Sequence, residues 1–167
     1  MNDDAYPVSW DNLVKAVTIG VFVLLASVII TLGIVVRSHL LSAALVVAAG
    51  AVLFVPYLWA PRGYILHDNE VVVKRLIGDA KIAVAEAASH WKWTWWGLRL
   101  FGSGGLYGYY GIFTFKGTGM VRMHATNRHK LVLIRDVKGK RHLLSPDDPE
   151  RFVQQTRSRF MAQPTLS

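Results

Sequence analysis

The chain has 167 residues, 52% of them hydrophobic, with 19 Lys and Arg against 11 Asp and Glu and no Cys. Without cysteine there is neither a disulfide framework nor a thiolate metal site. A formal charge of +8 points to anionic partners: lipid headgroups, nucleic acid or acidic protein.

Residues 1–12 read as a short polar segment with Asp3, Asp4 and Asp11, and Trp10 at its end. Residues 13–61 read as a helical hairpin. The stretches 16–36 and 40–60 are each 21 residues without a charge, separated only by Arg37, Ser38 and His39. At 1.5 Å per residue each run spans roughly 31 Å, the thickness of a bilayer's hydrocarbon core. Both runs are apolar all round, so neither has the polar face of a surface helix. The expectation is two transmembrane helices and a tight turn. A signal peptide is the competing reading of the first run; its length, the lack of an A-x-A site and the second run that follows at once argue against it. Trp10, Tyr57 and Trp59 suit an interfacial aromatic belt. Gly20, Ser27, Thr31, Gly33, Ser42, Ala44, Ala48 and Gly50 are expected to let the helices pack closely. No ionisable residue lies inside either run, which argues against a transporter or channel.

The Lys and Arg of the flanks set the expected topology. Lys15 precedes the first run, Arg37 lies in the turn, and Arg62, Lys74 and Arg75 follow the second. This bias puts both termini in the cytoplasm and the turn outside, in the inner membrane of a cell.

Residues 62–161 read as one small domain, with 162–167 a fraying tail. Residues 61–167 hold 17 Lys and Arg against 8 acids, a balance of +9. Strands are expected at 64–67, 71–77 and 81–84, with turns at Asp68-Asn69 and Gly78-Asp79. Residues 85–90 are ambiguous between strand and helical turn. If 90–96 is a strand, Trp91, Trp93 and Trp95 share one face and Lys92, Thr94 and Trp96 the other. The Trp face fits either a core or headgroups, with core the commoner answer.

Residues 101–111 carry Gly102, Gly104, Gly105, Gly108 and Gly111. They are expected to be structural, with at least one of Gly104, Gly105 and Gly108 at positive φ. A phosphate loop fits poorly, since Tyr107 stands where G-x-G-x-x-G needs its third Gly and no G-K-[ST] follows. Further strands are expected at 112–115, 120–125, 131–135 and 141–144. Ser145-Pro146-Asp147-Asp148-Pro149-Glu150 then announces a helix: Asp148 as cap, Pro149 in the first position, Glu150 at the positive end of the dipole. Phe152, Val153, Thr156 and Phe160 form its apolar stripe.

The sum is a membrane α-helical hairpin plus an all-β barrel or sandwich of about seven or eight strands, closed by a C-terminal α-helix. That order resembles the pleckstrin-homology fold, and in detail the PH-like domains of membrane-anchored bacterial proteins. Four pieces carry the resemblance: Tyr64-Ile65-Leu66-His67-Asp68; the stretch from Leu100 through the glycines to Phe113; Ala125-Thr126-Asn127-Arg128; and Leu144-Ser145-Pro146 with Asp148, Pro149 and Phe152. The resemblance covers 62–160. Eukaryotic relatives bind phosphoinositides through basic residues near the first hairpin. Here that loop is Asp68-Asn69-Glu70, which is acidic, so no binding residue is carried over.

No catalytic constellation stands out. His39, His67, His90, His124, His129 and His142 lack metal-site spacing. No G-x-S-x-G surrounds Ser103 or Ser145, and Asp68, Asp79, Asp136, Asp147 and Asp148 are explained as turn residues. The expected protein is non-catalytic, without cofactor or metal. It binds or organises a protein partner or anionic lipid headgroups at the cytoplasmic face; the alternative is a scaffold subunit with no lipid recognition of its own. Nucleic acid fits less well, since no RNP or OB signature is present. The membrane-surface candidates are Arg62, Lys74, Arg75, Lys92, Trp96 and Arg99, with Lys138, Lys140 and Arg141 if their hairpin tip faces the bilayer. A second basic group, Arg122, Arg128 and Lys130, reads equally as a solvated face.

Overall fold

The computed structural model describes residues 4–35, 38–67, 70–93 and 97–161. Its two long helices are α1 (Asn12–Val35) and α2 (His39–Trp59). Asp11 caps α1: its side chain accepts from Val14 N at 2.8 Å. Ser38 caps α2, accepting from Leu41 N at 3.4 Å. Pro56 lies inside α2, and the helix stops at Ala60, which is extended (φ −61°, ψ 133°). The ring of Pro61 forces that, because it disfavours helical backbone in the residue before it. Both helices are long and apolar enough to cross a membrane, and their outer faces are uncovered.

Among the described residues nine strands follow one hydrogen-bonded order, β1-β2-β3-β4-β8-β9-β7-β6-β5. They are β1 (Asp4–Pro7), β2 (Gly63–Leu66), β3 (Glu70–Lys74), β4 (Ala80–His90), β5 (Gly97–Gly104), β6 (Tyr109–Phe115), β7 (Gly119–Ala125), β8 (Val132–Asp136) and β9 (Arg141–Leu144). All pairs are antiparallel except β7 with β9. The sheet is open: β1 and β5 are its two edges, so it is not a closed barrel. The helix α3 (Pro149–Met161) packs on β4. Arg151 N donates to Asp148 Oδ1 at 3.0 Å, which makes Asp148 the cap.

The first strand was not legible as one. Residues 4–7 pair with β2 in register, Tyr6 opposite Tyr64, and Asp147 N donates to Pro7 O at 3.0 Å. Pro7 is tolerated because it ends an edge strand. The helical hairpin is thereby an insertion between the first and second strands of one sheet.

Among the described residues two large apolar clusters fill the domain, and a small third one joins Ala60, Tyr107 and Tyr110. The first lies among β1–β4, β8 and α3 and includes Tyr6, Tyr64, Leu66, Ile82, Ile134 and Phe152. The second lies under β6 and β7 and includes Val14, Tyr109, Phe113, Phe115, Val121 and Met123. Val14 belongs to α1, so the foot of that helix is part of the domain's core. Residues 85–90 resolve as strand: they extend β4, with register shifts between Val84, Glu86 and Ser89.

Some local expectations change. Trp91 and Trp93 lie in non-regular chain, both half-buried against the second cluster; Trp93 packs on Tyr109 and Phe115 at 5.5 and 5.6 Å. The strand begins later, at Gly97, and runs into the glycine-rich stretch. Residues 94–96, with Trp95 and Trp96, lie outside the described residues, as do Arg37 and the Asp68-Asn69 turn. The helix glycines do not mediate close approach: a Cβ at Gly20, Gly33 or Gly50 would meet nothing within 4 Å. The two helices approach each other, and their feet are also bonded to the sheet domain.

Candidate functional site

Three of the four resemblance motifs meet at one buried polar node. The Tyr64 hydroxyl donates to His124 O and accepts from Ser145 N at 3.0 Å. Ser145 Oγ accepts from Thr126 N at 2.8 Å and from Asn127 N at 3.2 Å, and Thr126 Oγ1 donates to Ser9 O at 2.8 Å. Tyr64, Thr126 and Ser145 are fully buried. Burial pushes the Tyr64 hydroxyl up to about 12, so it stays a donor at any working pH. These motif residues tie β2, β7 and β9 together; their role is architectural.

A second node fixes α1. Asp11 pairs with Arg128 (Nε to Oδ2, 3.0 Å) with its side chain almost wholly buried, and Tyr109 OH donates to the same carboxylate at 3.3 Å. Burial raises the Asp11 pKa, but bonds from Val14 N, Arg128 N and the Arg128 guanidinium outweigh it, and the net direction is down. Tyr107, at the tip of the β5–β6 loop, sits at φ +58°, a region that bulky residues seldom occupy. Its N donates to Thr18 Oγ1 at 3.2 Å, and its ring touches Trp10, Phe22 and Tyr57. It is a wedge between the feet of both helices. Tyr110 OH donates to Pro56 O at 2.8 Å, and Ile77 N to Leu58 O at 3.2 Å.

Glycines make the β5–β6 hairpin possible. Gly102 and Gly111 face each other across the ladder at φ +112° and +120°. A Cβ on either would strike the partner strand's backbone, at Tyr110 O and Phe101 O. Gly105 and Gly108 are also at positive φ, +143° and +136°. Gly104 is not, and a Cβ there would meet the Arg99 side chain.

Between this hairpin and α2 opens a cleft of about 580 Å³. Val52, Val55, Pro56 and Trp59 form its helix wall; Arg75, Arg99, Ser103 and His124 are its polar groups, and Phe101 its rim. No carboxylate of the described residues lines it. Arg75 Nη2 lies 2.8 Å from His124 Nδ1, which must accept, so the remaining proton is on Nε2. Burial, then the charges of Arg75, His142 and Arg122, push His124 down to about 3. The histidine is a neutral support for the guanidinium. Arg75 Nε is buried and has no acceptor among the described residues.

The other basic candidates scatter. Arg62 lies 4.7 Å over the Tyr57 ring, and Lys74 pairs with Asp79 at 2.7 Å. Lys92 borders a separate hollow of about 390 Å³ with Trp91, Trp93, Arg128 and His129. Lys138 and Lys140 are exposed on the β8–β9 turn, their backbone N–H groups on Asp136 Oδ1 at 2.8 Å. Arg141 donates to Thr118 O and borders another hollow with Arg122 and Lys140. Trp96 lies outside the described residues. The structure thus brings together Arg75 and Arg99, and adds His124 and Ser103, which sequence reasoning left as a scattered histidine and a loop serine. Among the described residues no three His, Asp or Glu side chains gather as a metal site needs.

No curated protein and no solved structure shows a match to the chain. A family model described as bacterial PH domain matches residues 62–160, the span that contains β2–β9, nearly all of α3, the buried Tyr64–Thr126–Ser145 node and the glycine hairpin; the chain belongs to that family.

Proposed function

We propose that the chain is a non-catalytic module anchored in a membrane by α1 and α2, whose PH-like domain engages anionic headgroups at the cytoplasmic face. The observation that carries this is how the domain is held. Tyr107 on Thr18, Tyr110 on Pro56 and Ile77 on Leu58 clamp it against both helices. A domain of net charge +9 is thereby kept at the level of the helix ends. Each Lys or Arg near an anionic surface contributes about 1 kcal/mol, and tethering removes the cost of finding that surface. Among the described residues no carboxylate pairs with Arg62, Lys92, Arg99, Lys138 or Lys140.

The test uses the full chain in nanodiscs and an amine-reactive label. Lys92, Lys138 and Lys140 should be protected in anionic discs relative to phosphatidylcholine discs, and protection should vanish as salt rises toward about 0.5 M. Equal labelling in both lipids rejects the reading. It would favour a scaffold instead, for which β5 is the specific observation: an unpaired sheet edge with Leu98, Leu100 and Phe101 exposed is a template for a partner strand.

A further inference from the structure

The cleft between α2 and the β5–β6 hairpin has two ends of different chemistry. Its helix wall runs from Trp59 to Val52, about 10 Å along the axis. With α2 in a bilayer, that interval leads from the interface into the upper acyl layer. The wall is apolar along its whole length. The domain side carries two guanidiniums, Arg75 and Arg99; no carboxylate of the described residues lines the cleft, and the charge of Asp79 acts on Arg75 from outside it. Arg75 is already aimed, because His124 Nδ1 holds Nη2 at 2.8 Å, yet its buried Nε has no acceptor among the described residues. A buried donor without a partner is costly, and one that belongs to a cation costs more. Arg99 has no ion pair among the described residues, and its side chain lies over Gly104, where a Cβ would crowd it. Phe101, 76% exposed, stands at the rim; a ring so placed is at home among lipid rather than water.

We propose that this cleft holds one anionic glycerophospholipid of the bilayer, its phosphate between Arg75 and Arg99 and an acyl chain along Val52 and Val55. The proposal rests on the membrane reading above and adds to it a discrete, stoichiometric site. Guanidiniums bind phosphate oxygens through charge-assisted, often bidentate bonds. A phosphate here meets two guanidiniums at once, which a diffuse surface field does not require. Free phosphate shares that chemistry but leaves the apolar wall bare.

The full chain, purified in mild detergent, is mixed with phosphatidylglycerol or phosphatidylcholine of equal chain length, and retained lipid is counted by native mass spectrometry. One phosphatidylglycerol per chain is expected, with phosphatidylcholine retained less. Arg99→Gln, at an exposed position, should lower retention about tenfold. Val52→Trp, which fills the apolar end without touching an arginine, should do the same. Far-UV circular dichroism confirms that both variants fold. Retention unchanged in both overturns the site, as does equal retention of the two lipids. If millimolar inorganic phosphate displaces the lipid, the site takes free phosphate and the lipid assignment falls. Lysine protection with no retained lipid rejects the cleft but keeps the surface reading. Retained lipid, lost in Arg99→Gln, with no lysine protection does the reverse.

Discussion

His124 shows how one side chain sets a pH response. Burial and the neighbouring charges of Arg75, His142 and Arg122 hold its folded pKa at about 3, against about 6.5 in an unfolded chain. Between those values the unfolded state binds the extra proton, so stability rises with pH across the window and is lost as pH falls. The slope is at most about 1.4 kcal/mol per pH unit. His142, also lowered chiefly by burial, acts with the same sign. Thermal unfolding of the full chain from pH 7 to 5 should therefore show Tm dropping, and His124→Gln should flatten that slope without abolishing it. Gly102 and Gly111 make a second residue-scale prediction. Ala at either is expected to cost about 2–3 kcal/mol, from the positive φ and from collision with the opposite strand. Ala at Gly20 or Gly50, in open space, should be neutral or stabilising by up to about 1 kcal/mol. Chemical denaturation of the four variants checks both halves of the contrast. The sequence marked the hairpin glycines as structural, but not which pair was obligatory: that depends on cross-strand register, set by residues far from either.

At the scale of elements, legibility followed how local the signal was. The helix α3 was readable to its first residue, because Asp148 and Pro149 act within one turn. Residues 85–90 were not, since an Ala-rich run suits helix and strand alike and only pairing with β8 decides. The strand β1 was hidden for a stronger reason. Asp4, Ala5, Tyr6 and Pro7 have no strand pattern of their own; Tyr6 is buried by Phe152, 4.9 Å away, and its hydroxyl bonds Gln155. In the cleft, Arg75 and Arg99 were legible as basic residues, but their meeting was not, because it depends on how β5–β6 lies against α2. The foot of α1 carries an element-scale prediction. Asp11→Ala leaves Arg128 without its carboxylate and the helix without its cap, a loss of about 3 kcal/mol or more, read as a lower denaturation midpoint. Tyr107→Ala removes the wedge between the helices. Amide exchange in the β5–β6 hairpin should then quicken while β2–β4 stay protected.

For the whole molecule, the pairing of β1 with β2 constrains topology more than the charge bias does. Strands in register are about 4.8 Å apart, so residues 4–7 and 63–66 must lie on the same side of any membrane that α1 and α2 cross. The absence of native cysteine makes the check clean. In intact cells an impermeant maleimide should label Ser38→Cys and spare Ala5→Cys and Ser158→Cys. Labelling of Ser158→Cys with Ser38→Cys spared would invert the orientation.

That same pairing orders events during synthesis. Residues 4–7 leave the ribosome before both helices and have no mate until residues 63–66 emerge. If only one helix inserts, the two strands end in different compartments, and β2 is left with a bare backbone edge. Completion of the sheet thus depends on both helices crossing together: a correctly threaded chain pairs residues 4–7 with 63–66 and buries Tyr6, and a misthreaded one leaves that edge of β2 unpaired.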